Sequence, residues 1–317
     1  MPEKPRVLAI VGPTASGKTA LGAECAKRFG GEVISADSMQ IYEGLDIATA
    51  KPTQEEMQGI PHHLIGIVPR TQRFSVADYV KLAAEKITEI SGRGRLPVIV
   101  GGTGLYVDSL LSGMQFSPEE GDPGIREALA QRYRQEGGEA LWKELDARDP
   151  EAAAKIHPNN AVRLIRALEV MAVTGGTFTA YKQQNAGHPA PYDALMIGLD
   201  WERSELYARI DRRVDLMMEQ GLLEEVAAAR DPAMQTSAAA IGYKELLPYL
   251  DGQMPLADCI ALVKQETRRY AKRQLTWFRR NDQIRWLKVG YSNKVDKLSE
   301  KIEIMMEKNP GICYNEA

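Results

Sequence analysis

Cysteine is scarce in this chain. Its 317 residues include three, Cys25, Cys259 and Cys313, far apart and without a C-x-x-C pair. That excludes a disulfide framework or a cysteine-built zinc site and leads us to expect a reducing, cytoplasmic setting. Of the four histidines, His62 and His63 are adjacent, which is not the helical spacing of metal ligands, and no cysteine lies nearby. Long apolar runs are missing too. Nothing approaches the roughly 20 residues that cross a bilayer, and the longest run near the start, Val7 to Val11, is too short for the apolar region of a signal peptide. No membrane association is expected. Charge of one sign is not in excess, since 40 Lys+Arg face 43 Asp+Glu for a net charge of −3. Attraction to a polyanion must therefore come from local clustering. There is no internal repeat and no low-complexity tract. What is present is ordinary globular composition, 44% hydrophobic and 26% charged, in a chain long enough for two domains or one domain with an insertion.

The first hundred residues alternate between strand and helix signals. Val7 to Val11 reads as a strand buried on both faces of a parallel sheet. A helix is expected from Lys18 to Phe29, ending at Gly30-Gly31, then strands over Glu32–Ala36 and His63–Val68. Ser75-x-x-Asp78 has the form of a capping box opening a helix to about Ile90, and Leu96 to Val100 is a further buried strand before a glycine turn. This alternation predicts an α/β fold, a parallel sheet flanked by helices. The texture changes near Ser117. From there to Pro191 the sequence shows only helical pieces, broken at Gly121, Gly137-Gly138, Asp149-Pro150, His157-Pro158 and Gly175-Gly176. The expected organisation is a core of residues 1–116 and 192–317 with an all-helical insertion at 117–191. The second part of the core should hold a strand over Ala194–Leu199 and helices over Glu205–Gln220, Leu222–Arg230, Ala238–Tyr249 and Pro255–Arg280. A last strand over Ile284–Val289 and a polar helix over Lys294–Lys308 complete it.

The strongest chemical signal is Gly12-Pro13-Thr14-Ala15-Ser16-Gly17-Lys18-Thr19, a G-x-x-x-x-G-K-[ST] loop between a strand and a helix. Its glycines let successive backbone N–H groups turn toward phosphate oxygens, and the helix start adds partial positive charge. Lys18 supplies a mobile cation, and the Thr19 hydroxyl is placed to ligate Mg²⁺. The pattern is equally the ATP-binding signature, and the loop itself does not distinguish a diphosphate from a triphosphate. An ATPase usually adds an apolar strand ending in a metal-serving carboxylate, yet Leu96 to Val100 runs into Gly101-Gly102-Thr103-Gly104. The nearest acid is Asp37, after the second strand in Asp37-Ser38-Met39-Gln40. It could serve as a metal ligand, a general base or simply a helix cap. Thr103 could bond a ligand or close a turn.

Between Lys264 and Arg285 the bases Lys264, Arg268, Arg269, Lys272, Arg273, Arg279, Arg280 and Arg285 face only Glu266 and Asp282, with Tyr270, Trp277 and Phe278 interleaved. Such a stretch suits a nucleic-acid backbone with aromatic surfaces for stacking, or else a solvated basic helix whose aromatics are core. Arg163 and Arg166 share a helix face, and Arg209 flanks the apolar stripe Leu206, Ile210, Val214 and Met217. Alone, each of these three reads as a surface cation.

Taken together, the phosphate loop, Asp37 to Tyr42, Gly44 to Pro52, Pro61 to Leu64, Gly101 to Tyr106, Arg163 to Val170 and Ala271 to Trp277 resemble the tRNA dimethylallyltransferase (tRNA isopentenyltransferase) family, in the family's order. Ala48 stands where the family pattern has glycine. The resemblance implies transfer of a dimethylallyl group from dimethylallyl diphosphate to N6 of the adenosine 3′ to the anticodon, with Mg²⁺ as cofactor. It implies Asp37 as general base and Gly12 to Thr19 around the diphosphate, with Thr19 and Arg209 assisting. Contacts to tRNA would come from Asp37, Ser38, Met39, Gln40, Thr103, Arg126, Val162, Arg163, Leu164, Ile165 and Arg166. The insertion would grip the anticodon stem-loop. No segment marks an obligate protein partner, so a monomer is expected. Two competing classes share the loop: a small-molecule or nucleotide kinase with Asp37 on the acceptor hydroxyl, and an RNA-binding NTPase without transfer chemistry.

Overall fold

The apolar run at the start of the chain becomes the middle of a six-stranded parallel sheet. The structure is a computed structural model that describes residues 4–114, 122–185, 189–234, 236–290 and 294–308. The first part of the chain supplies β1 (Arg6–Val11), α1 (Lys18–Arg28), β2 (Gly31–Ser35), α2 (Gln54–Met57), β3 (His62–His63), α3 (Val76–Gly92), β4 (Leu96–Gly101) and α4 (Gly104–Leu111). The helices α5 (Pro123–Glu136), α6 (Gly138–Arg148), α7 (Pro150–Ala153), α8 (Ala161–Thr174) and α9 (Phe178–Asn185) follow. The chain then returns through β5 (Asp193–Trp201), α10 (Arg203–Glu219), α11 (Leu222–Ala228), α12 (Tyr243–Leu250), α13 (Leu256–Phe278), β6 (Arg285–Val289) and α14 (Val295–Glu307).

The sheet order is β3-β2-β4-β1-β5-β6 and every pairing is parallel. Its two faces explain the unbroken apolar strands. Val7, Ala9 and Val11 enter one core layer with Ile34 and Ile99, whereas Leu8 and Ile10 enter the other with Val33, Val98 and Ile197. A strand covered on both faces has no polar side to show. From β1 the chain runs to β2 on one side, and after β4 it crosses to β5 on the other. The carboxyl edge beside β1 is thus the crevice where open α/β sheets place ligands.

The predicted α/β alternation holds, with local departures. The expected strand from His63 to Val68 shrinks to His62–His63. Leu64 and Gly66 have φ of 62° and 58°, and a chain in the left-handed region cannot stay extended. The expected helix from Ala238 is a short 3₁₀ turn, Ser237–Ala239, then a break at Gly242 with φ 97° before α12. The capping box at Ser75 is present, with the Asp78 N–H donating to Ser75 Oγ at 3.2 Å and the Ser75 N–H to Asp78 Oδ2 at 2.8 Å.

The chain divides into two compact units, residues 1–111 with 191–317 and residues 112–190. The expected boundary at 116/117 and the helix break at Gly121 lie outside the described residues. Within the second unit, Leu141, Leu145, Leu164, Leu168 and Met171 form its own apolar core. Asp149 caps α7 through the Ala152 N–H (3.1 Å) and also accepts from the Thr179 N–H (2.7 Å) and hydroxyl (2.8 Å), which ties α9 to it.

Candidate active site

The loop after β1 folds into a nest of amides. Ala15 and Gly17 adopt φ of 61° and 87°, and left-handed residues in such a turn aim successive N–H groups into one concavity. Lys18 closes it, its Nζ donating to Pro13 O at 3.2 Å. Burial lowers the Lys18 pKa to about 8, with Asp37 acting to raise it and Arg213 to lower it further. Ser16 Oγ is buried and has no hydrogen-bond partner among the described residues, as expected of a group that awaits a ligand oxygen. Two side chains brace the loop from α10 and β5. Arg209 Nε donates to Ala15 O (2.8 Å), Trp201 Nε1 donates to Ser16 O (2.9 Å), and the Arg209 guanidinium lies 4.4 Å from the Trp201 ring centre. One amide is turned away: the Thr14 N–H donates to Gln274 Oε1 at 2.8 Å.

Asp37 sits across the crevice, half-buried. Its Oδ1 accepts from the N–H groups of Met39 (2.9 Å) and Gln40 (3.3 Å), so one oxygen builds the turn that follows β2. Ser38 N–H donates to Thr103 Oγ1 at 3.0 Å, and Thr103 Oγ1 donates to Ser38 Oγ at 3.3 Å. Gln40 is similarly engaged, donating to Thr49 O (3.2 Å) and Ala50 O (3.0 Å) and accepting from Ser35 Oγ (3.0 Å). These side chains shape the loop in which they sit. Asp37 lines two cavities at once. The larger, of about 230 Å³, is lined by Thr14, Asp37, Arg213 and Tyr270, with Val214, Met217, Ile241 and Val263 among its apolar walls. The smaller is lined by Lys18, Thr19, Ser35, Asp37, Gln40 and His62.

Arg213 is a site residue that the sequence reading missed, one turn beyond Arg209 on α10. Burial lowers its pKa, while Glu56 and Asp37 act to raise it. The spacing Arg209-x-x-x-Arg213 was the available signal, since i and i+4 share a helix face. Gln274 was also missed, and no spacing points to it.

The basic stretch on α13 needs correction. Lys264 pairs with Asp215 at 2.6 Å, Arg268 with Asp211, Arg269 with Glu266 at 2.6 Å and Arg279 with Asp200 at 3.0 Å. Lys264 and Arg268 thus meet acids of α10, while Lys272, next at the same four-residue spacing, is exposed. Phe278 is fully buried and Tyr270 faces the larger cavity, so neither offers an outer stacking surface. Trp277 Nε1 donates to Asp108 Oδ2 at 2.6 Å. His62 and His63 bond Ile60 O (2.9 Å) and Glu32 (2.7 Å), and no cluster of metal-ligating side chains occurs among the described residues.

In the helical unit, Val162 is 81% exposed and Arg163 is exposed, while Ile165 and Arg166 are half-buried. Leu164 is the correction within this group. It is wholly buried in that unit's core, so its side chain holds α8 in place and offers nothing to a partner. Arg126 and Arg166 converge on Glu169 Oε2 at 2.9 and 3.0 Å. That carboxylate is fully buried.

Fold and site together define an α/β protein with a G-x-x-x-x-G-K-T loop at the carboxyl edge of its parallel sheet. Residues 40–281 match the IPP transferase family and residues 5–70 the isopentenyl transferase family. The chain is 51% identical to the tRNA dimethylallyltransferase of Bacillus velezensis, covering 90% of this chain and 91% of that protein. It is 48% identical to the tRNA dimethylallyltransferase of Geobacillus kaustophilus, covering 96% and 99%. Among solved structures, the full-length tRNA isopentenylpyrophosphate transferase of Bacillus halodurans superposes with a TM-score of 0.71 at 46% identity, over 97% of this chain and 98% of that one. A eukaryotic dimethylallyltransferase acting on tRNA superposes with a TM-score of 0.82 at 29% identity, over 96% and 79%. The chain belongs to the IPP transferase family.

Proposed function

We propose that this chain transfers a dimethylallyl group from dimethylallyl diphosphate to N6 of the adenosine 3′-adjacent to the anticodon in tRNA, releasing diphosphate. The observation that carries this reading is the position of Asp37. It lines both the small polar cavity beside Lys18 and Thr19 and the larger, half-apolar cavity. A carboxylate so placed has a phosphate cradle on one side and room for an isoprenoid and a flipped base on the other.

In this reading the amides of Ala15 to Thr19, Lys18 and Arg209 bind the diphosphate, and Arg213 adds charge from the same helix face. An adenine N6 amine is a weak nucleophile, because its lone pair is delocalised into the ring. As its C–N bond to the isoprenoid forms and the donor C–O bond breaks, the N6 proton passes to Asp37 and the bonding pair leaves with the diphosphate. Base catalysis of this kind contributes typically about 10²–10⁴-fold. Negative charge gathers on the departing diphosphate, where the loop dipoles and cations are already oriented. The donor set suits Mg²⁺: Thr19 and Ser35 offer hard oxygens in one small cavity, and such an ion is usually held by one or two protein oxygens plus phosphate and water. Bound there, it would neutralise diphosphate charge. The target adenine must leave its stack, at a cost of a few kcal/mol that a loop nucleotide keeps small.

Arg126, Val162, Arg163 and Arg166 are the surface proposed for the anticodon stem-loop, and the protein is proposed to act as a monomer in the cytoplasm. No helix among the described residues is long and apolar enough to cross a membrane. The test is incubation of the protein and bulk tRNA with isotopically labelled dimethylallyl diphosphate, in parallel with ATP. Label entering RNA is expected. ADP release without label transfer would favour a kinase or NTPase and overturn the reading.

A further inference from the structure

The glycine turn after β4 stands where a metal-serving carboxylate would be expected, and its shape follows from α13. A Cβ at Gly102 would collide with Gln274 Nε2, and one at Gly104 with the Trp277 ring. Tyr270, Gln274 and Trp277 recur at helical spacing and so form one face of α13. Gln274 is only 4% exposed, and both ends of its amide are used: Nε2 donates to Gly102 O at 2.9 Å and Oε1 accepts from the Thr14 N–H at 2.8 Å. One buried side chain therefore joins the phosphate loop, the end of β4 and α13.

We infer that Gln274 is a positioning residue for the donor diphosphate: by fixing the Thr14 peptide against Gly102, it sets the edge of the amide nest that receives the phosphates. The inference rests on the function proposed above. An amide suits this task because it offers a donor and an acceptor at once, and each is matched here. Removing it leaves the buried Gly102 carbonyl and the half-buried Thr14 N–H without their partner, and an unsatisfied buried group is costlier than a typical net hydrogen bond. The loop can recover by rotating that peptide, which spoils the nest. The cost then falls on donor binding.

The experiment titrates dimethylallyl diphosphate calorimetrically into wild type, Gln274→Leu, Gln274→Glu and Gly102→Ala, alongside steady-state kinetics and thermal melts. Gln274→Leu should raise the donor Kd about 5- to 100-fold, with the KM for tRNA unchanged and kcat at saturating donor little altered. A lowered melting temperature with donor Kd within twofold of wild type would make Gln274 a packing residue and overturn the inference. Gln274→Glu keeps the acceptor for Thr14 but sets a carboxylate against the Gly102 carbonyl. Its Kd relative to wild type should therefore fall toward one as pH drops through the carboxyl range and the protonated oxygen donates again. A ratio flat with pH would contradict the donor role. Gly102→Ala pushes on Gln274 from the other side, reports on the same linkage if Gln274→Leu does not fold, and should add little to it in the double variant. Should wild type fail to bind the donor even with an anticodon stem-loop present, the proposed function falls instead.

Discussion

Lys18 gives the sharpest handle on the proposed binding of a diphosphate by the loop. Burial holds its pKa near 8 in the free protein, with Arg213 pressing in the same direction. A bound diphosphate favours the ammonium and raises that pKa. The sign follows: affinity due to Lys18 is fully present below the free-state value, and it is lost as pH climbs from there toward the bound-state value. For one group with a free pKa near 8 and a bound pKa of about 10 or more, the donor Kd should rise about tenfold between pH 7 and pH 9. The donor adds little of its own, since a phosphate ester completes its ionisation near pH 6. Calorimetric titration of dimethylallyl diphosphate at half-unit steps over that range is the assay. Lys18→Arg should flatten the profile, because a guanidinium does not titrate there. A wild-type Kd constant from pH 7 to 9, or the same rise in Lys18→Arg, would refute the reasoning.

Asp37→Ala should lower kcat by at least about a hundredfold with the donor Kd largely kept, as removal of a general base requires; single-turnover kinetics checks it. Charge reversal at Arg163 and Arg166 should weaken tRNA binding and flatten its salt dependence, measured by filter binding across salt concentrations. Leu164→Ala should cost about 2–5 kcal/mol of stability in the helical unit, read by denaturant unfolding, while donor affinity stays unchanged.

How much of this was legible beforehand depends on the range of the interaction involved. β1, the loop and α1 were plain, because a doubly buried strand, the loop glycines and the Lys18 that opens the helix are all neighbours in sequence. The end of β3 was not, since nothing in Leu64 itself announces a positive φ. The bases of α13 looked available because their partners, Asp211 and Asp215, lie about fifty residues earlier and meet them only when α10 and α13 pack. Gln274 lies inside the Ala271–Trp277 motif, but nothing in the motif states its task. Its two partners, Thr14 and Gly102, are 260 and 172 residues away, and only the fold joins them. Leu164 was grouped with exposed neighbours, although the helical period turns it inward.

The most direct test of the central claim is identification of the product nucleoside. After incubation of the protein with dimethylallyl diphosphate and an anticodon stem-loop carrying adenosine 3′ to the anticodon, the RNA is digested and its nucleosides are analysed by mass spectrometry. The account predicts N6-dimethylallyladenosine at that one position, with one diphosphate released per modified base and no product when guanosine replaces that adenosine. An unmodified RNA, or an isoprenoid attached to a phosphate or ribose oxygen, would contradict it.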